Sequence, residues 1–239
     1  MKLNGDWVCF KSGWLQNDYT GAAKNESGIW YVKNGKVDFS FTGMYGPNSV
    51  KNGKFTTDYT NLYETYEDKY VRVFGECDDI PWRGDAQYSS QAEADSHMTE
   101  ITIKAWDFVS GTSGEKYTRT FTIEVNKAVA PSLKKAFDEI YALPEKFPIH
   151  ALGGNDGKYT SGQHGSGLAV DINPNENYEA YVNDDGSVTI TCGSLYEPGV
   201  NPYSIATNGN VAKILNKYGF TQGDWGSKVD YMHWSYFGN

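Results

Sequence analysis

The sequence predicts two fold classes in one chain: an all-β hairpin-repeat module over residues 1–65, and an α+β domain over residues 96–239 with a small antiparallel sheet flanked by helices. Three observations predict this. A turn-and-strand pattern recurs about every 20 residues near the start, as in arrays of small stacked units. Two alternating stretches in the middle read as paired strands. Two later stretches carry apolar residues at helical spacing. Residues 66–95 stand between, as a linker or an extension of the second domain. A chain of 239 residues has room for one large domain or two small ones.

The repeat is read first. Ser12–Gly21 aligns with Asn34–Gly43 and again with Asn52–Asn61. Each unit is a turn dipeptide, a short strand with alternating aromatics, and a second turn. Asn34-Gly35 and Asn52-Gly53 suit two-residue hairpin turns, whose central residues both need positive φ. Ile29–Lys33 is a partner strand for the second unit. One hairpin cannot bury a core alone, so the units must stack on their neighbours.

Beyond residue 65 the pattern changes. Tyr66–Arg83 reads as acidic and irregular, with a Pro-Trp-Arg-Gly turn at 81–84, and Ser89–Ser96 reads as a polar loop. Met98–Trp106 and Tyr117–Val125 both alternate, and the Ser110–Gly114 stretch joins them into a hairpin. Pro131 suits a first helical turn. Leu133, Phe137, Ile140 and Tyr141 then share one face. A second helix runs through Val211, Ile214, Leu215 and Tyr218 and stops at Gly219.

Composition excludes several roles. Lys plus Arg is 21 against 30 for Asp plus Glu, a net charge of −9, which argues against nucleic acid or an anionic membrane surface as the main partner. No apolar run approaches the roughly 18 residues of a membrane span. The first seven residues are too polar for a signal peptide. An extracellular or wall-located protein would therefore need an export signal absent from this chain, or release by lysis. Cys9, Cys77 and Cys192 form no CxxC pair, so no thiolate zinc site is expected. Each is read as a small buried hydrophobe.

The chemistry concentrates in two segments. His164 and Asp171 frame a small-residue turn, and Asp230 stands three residues before His233. A zinc peptidase needs three protein ligands, an open coordination position and a nearby carboxylate to take a proton. His164, Asp171 and His233 can supply the ligands, with Asp230 beside them. The other histidines, His97 and His150, have no carboxylate at ligand-like spacing and are read as structural or surface groups.

Two family resemblances attach to these residues. GIWYVKNGKVDFSFTG, residues 28–43, resembles the glycine-tryptophan cell-wall-binding repeats of Gram-positive bacteria, which include the choline-binding repeats. That resemblance implies aromatic cages for a wall ligand, a quaternary ammonium in the choline-binding members. Trp7, Trp14, Trp30 and Tyr31 are the candidates, the plain alternative being that they are hairpin core. SGQHGSGLAVDINPNENY and KYGFTQGDWGSKVDYMHWSYFG resemble the zinc D-alanyl-D-alanine carboxypeptidase family, which also contains L-alanyl-D-glutamate endopeptidases of lysins. TFTIEVNKAVAPSLKKAFDEIYALPEKFPI extends this likeness to roughly residues 96–239.

The second resemblance implies roles. His164, Asp171 and His233 would bind Zn2+, and a small antiparallel sheet would carry them. Asp230 would be the general base for the attacking water and then the acid for the leaving amine. Ser161, Trp225 and Tyr231 would contact substrate. The family's serine two positions before the first histidine is Gly162 here, with Ser161 one residue off. Lys158 stands nearest to the position of the family's upstream arginine and would take its catalytic role, stabilising the developing oxyanion or holding substrate, although a lysine lacks the bidentate fork.

The expected function is a zinc peptidase, carboxypeptidase or endopeptidase, that cuts stem peptides of bacterial peptidoglycan. A wall polymer bound by the repeats would hold it at its substrate. A monomer is expected, with no nucleic acid partner and no membrane span. The departures at Gly162 and Lys158 keep an alternative open: a catalytically weakened wall-binding protein that retains its zinc site.

Overall fold

The computed structural model describes residues 2–3, 5–11, 14–25, 27–45, 48–56, 66–74, 80 and 86–238. It divides into two compact units, Met1–Tyr63 and Glu64–Asn239. Among the described residues no helix is long and apolar enough to cross a membrane.

The first unit is β throughout. Gly21–Asn25, Gly28–Lys33, Lys54–Phe55, Asn48–Lys51 and Gly43–Tyr45 lie in that order in one antiparallel sheet, with Lys36–Val37 also paired to Gly28–Lys33. Lys2–Leu3 pairs Asp6–Trp7, and Phe10–Lys11 pairs Trp14–Leu15. The two Asn-Gly dipeptides adopt the expected positive φ, 49° and 74° at Asn34-Gly35 and 51° and 74° at Asn52-Gly53. Each turn docks on earlier segments of the chain in the same way. Cys9 N donates to Gly35 O and Gly35 N to Tyr19 O; Tyr31 N donates to Gly53 O and Gly53 N to Phe41 O. A Cβ on Gly35 or Gly53 would strike the backbone of Gln16 or Asp38, so only glycine fits these junctions. Ser12, Gly13 and residues 57–61 of the aligned units lie outside the described residues.

The second unit opens with two helices. α1 (Tyr66–Phe74) occupies the stretch expected to be irregular. Tyr66, Tyr70 and Phe74 recur every four residues and pack on Phe237, so interspersed charge hid a helical face. α2 (Gln91–His97) replaces the expected loop. Its cap explains why: Ser90 accepts from Glu93 N, while Glu93 accepts from the Ser89 amide and hydroxyl. The turn at 81–84 and Cys77 lie outside the described residues.

β1 (Met98–Phe108) and β2 (Lys116–Asn126) form the expected hairpin, paired along eleven residues. α3 (Ala130–Tyr141) follows with Pro131 in its first turn. β3 (Leu152–Gly153), α4 (Gly162–Gly165), β4 (Ala169–Ile172), β5 (Asn177–Val182), β6 (Val188–Tyr196), α5 (Asn210–Lys217), β7 (Thr221–Asp224) and β8 (Lys228–Ser235) complete the unit. The core joins α1, the hairpin, α3 and α5 to the inner faces of β4 and β8, with Leu133, Phe137, Ile172, Leu215 and Trp234 buried at its centre.

β8 is the axis of the second sheet. β7 pairs with it, and β4 and β5 also pair with it at successive registers, β4 along Ser235–His233 and β5 along Asp230–Lys228. Asn173, at φ 47° between β4 and β5, makes the step. Its buried amide bonds His150 N, Pro148 O and Tyr203 O, while Asn177 bonds Ile172 O, Asn173 O, Tyr203 O and Ile205 N. Two buried, fully bonded asparagines thus fix where one strand hands over to the next.

Candidate metal centre

This arrangement gathers the polar side chains. Asp171 on β4 lies directly opposite His233 on β8. His164, on the last turn of α4, reaches both. Its placement depends on Gly167, at φ 66°, where a Cβ would collide with Met98 and with the Asn126 amide. Asn126 N donates to Gly167 O, so β2 grips the turn that carries the histidine.

His164 Nδ1 donates to the Gly154 carbonyl at 2.9 Å, which places a proton there and turns Nε2 inward. Nε2 lies 2.9 Å from His233 Nδ1 and 3.2 Å from Asp171 Oδ1. His233 Nδ1 is 3.6 Å from the same oxygen. The three ligand atoms lie within 4.8 Å of one another. Asp171 Oδ1 is buried without a hydrogen-bond partner among the described residues. Two imidazole nitrogens and an orphaned carboxylate oxygen form a donor set that fits zinc or a similar divalent cation.

The electrostatics follow from this closeness. Burial alone would raise the Asp171 pKa, but the two imidazoles outweigh it and hold the carboxyl below the usual range. Burial alone would lower His164, but Asp171 outweighs it and pushes the imidazole up to about 9. Asp230 is 8% exposed, and Oδ1 lacks a hydrogen-bond partner among the described residues. Burial pushes its pKa up to about 6; His233 opposes this, while the Asp171 and Glu179 carboxylates add to it.

These groups line a cavity of about 430 Å3 with Ser161, Glu179, Cys192, Trp225 and Met232. Ser161 and Trp225 therefore sit beside the cluster, and the Trp225 ring lies 5.9 Å from that of His233. Gly162 has φ 53°, a conformation that disfavours the serine expected there. Lys158 is exposed and does not line the cavity. Tyr231 does not line it either. It stacks on Tyr196 at 3.7 Å. Of the remaining histidines, His150 bonds Glu176 at 2.7 Å and His97 stacks on Tyr88.

In the repeat unit, Trp7 and Trp30 share a cavity of about 150 Å3 with Asn25, Val37 and Phe39. Tyr31 turns the other way and is core, packed on Phe41 and Tyr45. The Trp14 side chain lies outside the described residues. Cys9 is half-buried, but Cys192 is exposed on the cavity wall rather than buried as expected.

Comparison with known families meets the same residues. Residues 156–236 match the family model described as D-alanyl-D-alanine carboxypeptidase. All four clustered residues fall inside that match, whereas the β1–β2 hairpin and α3 fall outside it. Residues 18–38 match the choline-binding repeat. No curated protein and no solved structure matches the chain.

Sequence reasoning missed Glu179, Gln163 and Cys192 at the cavity. Gln163 accepts from Phe237 N and donates to Gly238 O, fastening α4 to the segment after β8. Glu179 reaches the site only through its register opposite Asp230.

Proposed function

We propose that this chain is a zinc peptidase that cuts stem peptides of bacterial peptidoglycan and is held at the wall by its N-terminal repeats. The convergence of His164 Nε2, Asp171 Oδ1 and His233 Nδ1 on one point beside Asp230 carries this reading. The match of residues 156–236 to a D-alanyl-D-alanine carboxypeptidase model supports this substrate class. His164, Asp171 and His233 would hold the ion. Bound zinc would polarise the scissile carbonyl and ease loss of a proton from the attacking water.

The chain's own residues do the rest. Asp230, with a pKa near 6, is ionised at neutral pH yet basic enough to accept that proton, and it then returns one to the leaving amine. Its burial keeps bulk water from competing for it. His164 is kept in one tautomer by Gly154. Trp225 and Ser161 bound the cleft on which the peptide is laid. The Trp7–Trp30–Phe39 pocket would receive a cationic wall group against its ring faces, giving wall residence and a raised local substrate concentration. The protein would act outside the cell or in the wall, as a monomer.

The test joins metal content to product analysis, on wild type and His233→Ala, with purified peptidoglycan. The expected result is one zinc per chain, lost in the variant, with new amine termini only from wild type. Product masses then name the bond and separate carboxypeptidase from endopeptidase. The exposed position of Lys158 favours the second reading, a weakened wall binder, and zinc without any product would establish that instead. Absence of zinc binding would overturn both.

A further inference from the structure

Among the described residues, Glu179 is the one acidic wall residue of the cavity that the proposed chemistry leaves unused. Its carboxylate is held on one side only. Lys228 Nζ contacts Oε1 at 3.0 Å, and Thr191 Oγ1 donates to the same oxygen at 2.8 Å. Oε2 has no hydrogen-bond partner among the described residues, and the side chain keeps 26% of its surface exposed. A carboxylate offers about four acceptor positions, and two here are taken, both on Oε1. Burial would raise its pKa, but Lys228 and Thr191 outweigh that and keep it ionised.

The surroundings define what Oε2 can receive. Glu179 stands directly across from Asp230. Like charges facing each other on paired strands repel. Asp230 is buried, its Oδ1 has no partner among the described residues, and it lines the same cavity. A donor that brings positive charge relieves the repulsion and fills the open acceptor position. A neutral donor fills the position only, and a carboxylate adds to the repulsion. Lys228 Nζ, which contacts Oε1, also lies 5.9 and 5.5 Å from the centres of the Tyr181 and Trp225 rings.

We propose that Glu179 is a specificity residue whose open oxygen, Oε2, receives a primary ammonium group carried by the peptide substrate. The inference rests on the peptidase reading above and narrows its substrates to stem peptides with a free amine near the scissile bond.

The test uses the zinc-loaded full chain and two probes: the pentapeptide L-alanyl-D-isoglutamyl-L-lysyl-D-alanyl-D-alanine, and the same peptide acetylated on the lysine amine. The readout is the ratio of their kcat/KM values. Wild type is expected to prefer the free amine at least tenfold, and Glu179→Gln is expected to bring the ratio close to one. Any effect of the substitution on Asp230 acts on both peptides and cancels in the ratio. A wild-type ratio near one overturns the proposal without using a variant, and a ratio that survives in Glu179→Gln overturns it too. If wild type cleaves neither peptide nor purified peptidoglycan, the peptidase reading falls and this inference falls with it.

Discussion

The two units reach order by opposite means. In the repeat unit few described side chains are buried, among them Tyr31, Val50 and Phe55. Its regularity comes from the same turn docking the same way at Gly35 and at Gly53. In the larger unit one continuous core runs from α1 to the segment after β8, and the polar cluster is assembled from α4, β4 and β8. A repeat can lose one junction and keep the others. A metal centre needs all three donors at once. Wall attachment should therefore degrade by steps, and hydrolysis should fail outright.

Predictions that break or sharpen this contrast run from large to small. His233→Ala should remove zinc and abolish hydrolysis, while retention on purified walls stays intact in a pull-down. Asp230→Asn should keep the zinc and lower kcat by about 10²–10⁴-fold, the usual worth of a general base. In wild type kcat/KM should fall as pH drops through about 6, because protonation removes the base, and this acid limb should vanish in the variant. Phe55→Ala should destabilise the repeat unit by about 3–5 kcal/mol, the range for removing a buried ring. Calorimetry should then show an early transition, with cleavage of a soluble peptide unaffected. Gly53→Ala should cost about 1–2 kcal/mol for the left-handed conformation, with the clash against Asp38 added, in the same unit only. Trp30→Ala should weaken wall retention by about 0.5–2 kcal/mol if a cation stacks on the ring, a loss readable in a binding isotherm.

The sequence made local features legible. Asn34-Gly35 and Asn52-Gly53 state their turn type outright, and the 98–125 hairpin shows in its alternation. His164, Asp171, Asp230 and His233 stand out only in combination, in segments that resemble a zinc carboxypeptidase family; neither spacing carries the assignment alone. What failed was whatever depends on partners far along the chain. α1 was hidden because charges interrupt its Tyr66–Tyr70–Phe74 face. α2 was hidden because its signal is a cap, Ser90 with Glu93, and not an apolar stripe. Glu179 has no local signal and enters through the register of β5 on β8. One misplaced candidate has a cause that is readable: Trp30 and Tyr31 are neighbours in a regular strand, so their side chains face opposite ways.

The pairing of Asp171 with His233 has a consequence beyond chemistry. A slip of one residue between β4 and β8 would turn a donor to the far face. An ion gripped by both strands and by His164 would close a covalent circuit from α4 to β8 through itself, so that neither strand could drift without releasing it. Zinc should then slow amide hydrogen exchange along β4 and β8 in step, making the backbone a reporter of whether the site is loaded.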